Sequence, residues 1–197
     1  MVRAHPPSET LRPMLSKLAG DKKRKLMYAD VSRAYFYAPA VRAVYVRLPD
    51  EDRQPGDENL VGKLNMSMYG TRDAAANWAS EYCGTLLSAG YAQGKASPCI
   101  FHNEMSDTTV MVHGDDFVGV GRPEELAKLR DVLENKYKLK VETLSGANGD
   151  SREVRILNKV VRWTPEGVEL EADPRHAELV VRELGLQNAH GQQGSRG

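Results

Sequence analysis

Two short apolar runs, Val110-Met111-Val112-His113 and Phe117-Val118-Gly119-Val120, are separated only by Gly114-Asp115-Asp116. Valine-rich runs of this length, broken by a Gly/Asp cluster, read as two strands joined by a tight hairpin. With both strands apolar, the hairpin lies in a core and its tip lifts two adjacent carboxylates out at one fixed point. Two acids held together without a cationic neighbour require a counter-charge, and a hard divalent cation such as Mg²⁺ supplies it. Gly and Asp also favour turns for backbone reasons alone, which would make the tip an ordinary type I′ turn. Taken by itself, the tip therefore reads equally as a plain turn or as a metal site.

The upstream sequence separates these readings. Leu26-Met27-Tyr28-Ala29-Asp30-Val31 is a second apolar strand ending on an acid, followed by Ser32-Arg33-Ala34-Tyr35-Phe36. Two-metal phosphoryl transfer uses ions about 3.5–4 Å apart, clamped by carboxylates, and an acid ending one core strand beside an Asp-Asp hairpin on another supplies such a clamp.

Asp30-Val31-x-x-Ala34-Tyr35-Phe36 followed by the Gly-Asp-Asp hairpin resembles the first and third palm motifs of reverse transcriptases. The segment Lys63 to Trp78, with Met68-Tyr69-Gly70-Thr71-Arg72-Asp73 at its centre, is similar to the middle motif of copia-type retrotransposons. Ser97-Pro98-Cys99-Ile100-Phe101 resembles the short segment those elements place ahead of the hairpin. The resemblance spans roughly residues 26–140. It implies an RNA-directed DNA polymerase domain of a copia-type polyprotein, truncated, with RNA/DNA template-primer and deoxynucleoside triphosphates as partners. Fingers and ribonuclease H segments are expected elsewhere in a longer polyprotein. It also implies two Mg²⁺ ions (Mn²⁺ as a substitute) on Asp30, Asp115 and Asp116, with the Val31 carbonyl completing one shell. Asp115 is the expected carrier of the ions and Asp116 the residue that shapes the turn, since neighbours at a hairpin tip point to opposite faces. Tyr35 is the expected steric gate against a 2′-hydroxyl. Gly70, Arg72 and Asp73 face the nucleotide, where Arg72 or a metal would offset the Asp73 charge. The chain departs from the family at His113-Gly114, where Tyr and then Met or Val are usual, and at Asp73-Ala74-Ala75-Ala76, where Gln-Ala-Pro-Arg is usual. The alternative function is a catalytically inactive palm relic that binds nucleic acid or protein.

The fold class expected is α+β: a polymerase palm built as a split βαβ, ferredoxin-like sheet with two helices on one face and the other face open to a ligand. Residues 1–25 read as a basic N-terminal remnant with a short helix carrying Leu11, Leu15 and Leu18, and 26–143 as the palm. Residues 144–186 read as a primer-grip-like hairpin, Val154 to Trp163 with Val168 to Leu170, plus a thumb-like helix near 174–185. Residues 187–197 read as a disordered tail. Within the palm, a helix over 72–89 buries Trp78, Tyr82 and Leu86, and a second begins at Pro123 and buries Leu126, Leu129 and Leu133.

Net charge is zero, which gives the chain no overall attraction for a phosphate backbone. Residues 1–25 nevertheless hold seven basic residues against two acidic ones, and the Lys22-Lys23-Arg24-Lys25 run leads into the first acid-bearing strand as a candidate phosphate contact. Cys83 and Cys99 are the two cysteines, without paired Cys-x-x-Cys spacing, so zinc is a weak reading of Cys99-x-x-His102. No apolar run is long enough for a bilayer. The expectation is an intracellular protein, in a cytoplasmic particle or the nucleus, with no membrane.

Overall fold

A computed structural model describes residues 8–172 and 174–184. In chain order the elements are α1 (Ser8–Gly20), β1 (Lys25–Val31), a 3₁₀ turn at Ala34–Tyr37, β2 (Tyr45–Arg47), β3 (Val61–Lys63), α2 (Ala74–Ser88), β4 (Ala92–Gln93), β5 (Ile100–Asn103), β6 (Thr108–His113), β7 (Asp116–Gly121), α3 (Pro123–Glu134), β8 (Leu139–Leu144), β9 (Glu153–Ile156), β10 (Lys159–Trp163), β11 (Val168–Ala172) and α4 (Pro174–Glu183).

Six strands form the main sheet in the order β4-β5-β6-β7-β1-β8, every neighbouring pair antiparallel. β7 therefore lies between β1 and β6, and β1 lies between β7 and β8. The helices α2 and α3 sit in the crossovers that lead to these split pairs. The three central strands are apolar on both faces because both are covered. Alternate residues sort into two cores, as a period of two requires. Met27, Ala29, Val31, Val110, Val112 and Phe117 meet Trp78, Leu86, Leu126, Leu129 and Leu133 of α2 and α3. Gly119 lies on this face, where a Cβ would stand 3.1 Å from the Leu126 side chain, so its bareness lets α3 lie close to the sheet. Leu26, Met111, Val118, Val120 and Leu144 form the second core with Leu11, Leu15 and Leu18 of α1 and with Val154, Ile156 and Val161.

That second core corrects an expectation. The sheet's other face is not left open: α1 and the three-stranded sheet β11-β10-β9 cover most of it. The N-terminal helix is part of a shared core, with Leu11 and Leu18 fully buried. The stretch Val154–Trp163 is likewise two strands and not one, turning at Leu157-Asn158 with φ of 52° and 57°. Positive φ at both central residues is the type I′ pattern. A leucine there strains the backbone by roughly 1–2 kcal/mol, which is why no turn is visible in the sequence. The expected tail from Gln187 lies outside the described residues.

Between β1 and α2 the chain makes an excursion closed at its neck. Ala40 N–H donates to Asn65 C=O at 3.0 Å, and Ser67 N–H donates to Ala38 C=O at 2.7 Å. Beyond the neck, β2 and β3 pair as an isolated two-stranded ribbon that leaves Tyr45 and Val61 exposed. No described helix is long and apolar enough to cross a membrane.

If α1 belongs to the core, Leu18→Ala lowers unfolding free energy by about 2–5 kcal/mol in urea titration, the usual cost of truncating a buried leucine. An unchanged midpoint would show α1 to be an appendage.

Candidate active site at the tip of the central hairpin

The acids converge because of strand register. β1 runs against β7 with Asp30 directly opposite Asp116, and opposed residues share a face with Cα atoms about 4.5–5.5 Å apart. The same row extends outward to His113 on β6 and Lys140 on β8. His113, Asp116, Asp30 and Lys140 thus line up across four strands. Asp115 occupies the turn with Gly114, which alone takes a positive φ (60°). One positive φ at the first central residue is the II′ pattern, in place of the type I′ expected.

Two bonds fix the backbone of this tip. Val31 N–H donates to Asp115 C=O at 2.9 Å, tying the end of β1 to the turn. The Trp78 indole N–H donates to Gly114 C=O at 2.8 Å. Trp78 is buried in α2 and packed edge-on against Tyr82, Phe117 and Tyr137, so a core residue holds the tip from beneath.

Each hairpin carboxylate is met by a tyrosine. Tyr28 Oη–H donates to Asp116 Oδ1 at 2.7 Å, and Tyr69 Oη–H donates to Asp115 Oδ2 at 2.9 Å. Burial raises the pKa of Asp115; the Tyr69 hydroxyl opposes the shift and Asp30 adds to it. Burial likewise raises Asp116, with Tyr28 and His113 opposing and Asp30 and Asp115 reinforcing. Tyr69 is pushed up to about 12 by burial and by its bond to Asp115, and Tyr28 rises above its ordinary range for the same kind of reason. Both phenols therefore remain protonated donors. Asp115 and Asp116 both feel the Asp30 charge, and such a carboxylate group suits a hard oxygen-seeking cation. Among the described residues, no three His, Cys, Asp or Glu side chains are already gathered around one point as ligands.

The other sequence-selected residues fall around this corner with some changes of partner. Asp116 closes the turn through its pairing with His113, while its side chain lies on the face of Asp30 and accepts from Tyr28 of β1. Tyr35, in the 3₁₀ turn after β1, stacks on Tyr69. Gly70 follows Tyr69 with open space where a Cβ would stand. Arg72 is exposed, and the counter-ion of Asp73 is Arg42, at 3.2 Å. Desolvation raises Asp73, but the Arg42 bond and charge, its own backbone N–H and Asn77 together hold it below the usual carboxylate range. The basic run sits at the wrong end of β1. Lys25 opens β1 and Asp30 lies near its other end, roughly 17 Å away at about 3.4 Å per residue. Arg24 is paired with Asp21 and Asp107, and Lys25 with Asp150. Tyr28, Tyr69, Arg42 and Lys140 were not singled out from sequence. Tyr28 could have been, since i and i+2 share a strand face; Lys140 could not, because the β1–β8 register is not written locally.

The raised acids give a pH prediction. A carboxylate whose pKa is higher folded than unfolded holds its proton more tightly in the folded chain, so stability falls as pH rises above the ordinary carboxylate range. Asp116→Asn should therefore stabilise the metal-free chain at pH 7 and lose that advantage once the pH drops below about 3.8, where both states are protonated. Urea titrations across pH 3–7 test this, and a gain that is independent of pH contradicts it.

Comparison with known proteins gives the family. The family described as reverse transcriptase (RNA-dependent DNA polymerase) matches residues 9–147. The retrovirus-related Pol polyprotein from transposon TNT 1-94 of Nicotiana tabacum is 26% identical over 135 residues, covering 66% of this chain and 10% of that protein. The transposon Ty1-MR1 Gag-Pol polyprotein of Saccharomyces cerevisiae is 26% identical over 148 residues, covering 74% of this chain and 8% of that one. The chain thus spans about a tenth or less of the length of these relatives. Among solved structures, apo telomerase from Candida tropicalis, truncated from its C-terminal domain, superposes with a TM-score of 0.49 at 13% identity, over 82% of this chain and 38% of that one. The chain belongs to the reverse transcriptase family, in the form carried by retrotransposon polyproteins.

Proposed function

We propose that residues 26–143 form the palm of an RNA-directed DNA polymerase, which adds deoxynucleotides to a primer 3′-hydroxyl on an RNA or DNA template. The observation that carries this reading is the pairing of Asp30 with Asp116 across β1 and β7, beside Asp115 in the turn. Asp30, Asp115 and Asp116 would hold two Mg²⁺ ions, with Val31 contributing its carbonyl. When bound, these ions supply activation of the 3′-hydroxyl and neutralisation of the triphosphate. The residues present suit that role: hard oxygen donors, on a backbone fixed at both turn carbonyls, with mutual repulsion that a cation relieves.

The chain's own groups divide the remaining work. Tyr35 presents its ring to the sugar of the incoming nucleotide, where a 2′-hydroxyl would collide with it. The open side of Gly70 lets the nucleotide approach the backbone. Arg72, exposed beside it, is free to meet phosphate, because Arg42 already balances Asp73. Lys140, in row with Asp30, offers a second cation to the triphosphate on the far side of the acids. The sheet β9–β11 and helix α4 take the places of a primer-grip-like element and the start of a thumb. With α1 and the sheet β9–β11 over the second face, the strand ends are the place where template and primer would lie.

Primer extension on an RNA template with Mg²⁺ and labelled deoxynucleotide tests the reading, using the chain alone and joined to a fingers segment from a copia-type relative. Asp30→Asn and Asp115→Asn should each lower extension by at least about a hundredfold, as loss of a core ligand to catalytic metals removes several kcal/mol of transition-state stabilisation. Extension undiminished in these variants, or absent from the joined wild type, overturns it. In the same assay Tyr35→Ala should admit ribonucleotides more readily, and unchanged sugar preference removes Tyr35 from the gate.

A further inference from the structure

Tyr69 touches both halves of the site at once. Its hydroxyl donates to Asp115 Oδ2 at 2.9 Å. Its ring stacks on Tyr35 with centroids 4.3 Å and planes 28° apart, and Phe36 meets it edge-on at 5.9 Å. The residue is 43% exposed, so burial in the core does not by itself dictate either contact. A tyrosine side chain has two main torsions, and contacts at the ring and at the hydroxyl leave it little freedom. Its carrier loop is held as well: Thr71 Oγ1–H donates to Met68 C=O at 2.8 Å, and Ser67 beside it is buried and bonded to Asn77 of α2. The Asp115 carboxylate has about four lone-pair sites, so the Tyr69 bond leaves most of them for a ligand.

We propose that Tyr69 is a positioning residue that orients Asp115 for cation binding and, through the same ring, sets Tyr35. This rests on the polymerase reading above. An outer partner that fixes the orientation of a ligating group raises metal affinity without touching the metal. Here that partner is braced by Tyr35, so the state of the gate ring and the affinity for the cation are linked. Removing Tyr35 loosens Tyr69, and loosening Tyr69 weakens the hold on Asp115. Asp116 has its own donor in Tyr28, on a different element, so the two carboxylates are oriented independently.

The test is binding of Mn²⁺ alone to the chain, read from the electron paramagnetic resonance signal of the free ion. Tyr69→Phe keeps the ring and removes the hydroxyl, and should weaken binding about tenfold, at the low end of the cost of losing an outer partner of a ligand. Tyr35→Leu should weaken binding by a smaller factor, although leucine and tyrosine at that position are equally remote from any ligand role. In the Tyr69→Phe background, Tyr35→Leu should have no further effect. Unchanged or tighter binding by Tyr69→Phe overturns the proposal, as do fully additive effects of the two substitutions. Asp115→Asn distinguishes the levels. If it abolishes binding while Tyr69→Phe is silent, only the positioning role fails. If it leaves binding intact, the metal reading of the hairpin fails and the positioning role falls with it.

Discussion

The site depends on the register of β1 against β7. In an antiparallel pair a slip of one residue exchanges every side chain between faces. Here such a slip would turn Asp30 into the core beneath α2 and bring Met27, Ala29 and Val31 to the opposite side. Two apolar cores, one on each face, prevent it. Met27 and Ala29 are matched to α2 and α3, while Leu26 is matched to α1 and the sheet β9–β11. The hydrophobic effect that stabilises the domain is therefore also what brings one carboxylate opposite another. No local preference of Asp would place it there.

Much of this was legible in the residues. The hairpin, the strand ending at Asp30 and the faces of α2 and α3 follow from period-two and helical patterns: Trp78, Leu86, Leu126, Leu129 and Leu133 are all buried as their spacing demands. The parts that were not legible are long-range pairings. The nearness of Lys140 to Asp30 and of Arg42 to Asp73 comes from elements brought together in three dimensions. The second core is of the same kind, since α1 shows an apolar stripe but not its partner. The turn at Leu157-Asn158 escaped for another reason: tertiary packing holds a leucine in a backbone region that its own propensity disfavours.

Asp115 and Asp116 differ by environment more than by position in a motif. Asp116 is bonded within the sheet, to a strand neighbour whose own place is fixed by the ladder. Asp115 is bonded to a loop residue outside the sheet. The side chain of the first is held from within the sheet and that of the second from a loop. This is how adjacent residues with the same chemistry can differ in what controls them.

The closed neck of the excursion between β1 and α2 has a consequence for variation in length. Residues 38–40 and 65–67 are zipped together, so Tyr35 and Tyr69 stand on the site side of the closure and the ribbon stands beyond it. Closure entropy grows only with the logarithm of loop length, and doubling such a loop costs about 0.6 kcal/mol. The stretch between β2 and β3 can therefore lengthen, shorten or exchange its sequence while the geometry of the acids is preserved. The neck lets the rim of the molecule diverge while its centre stays the same.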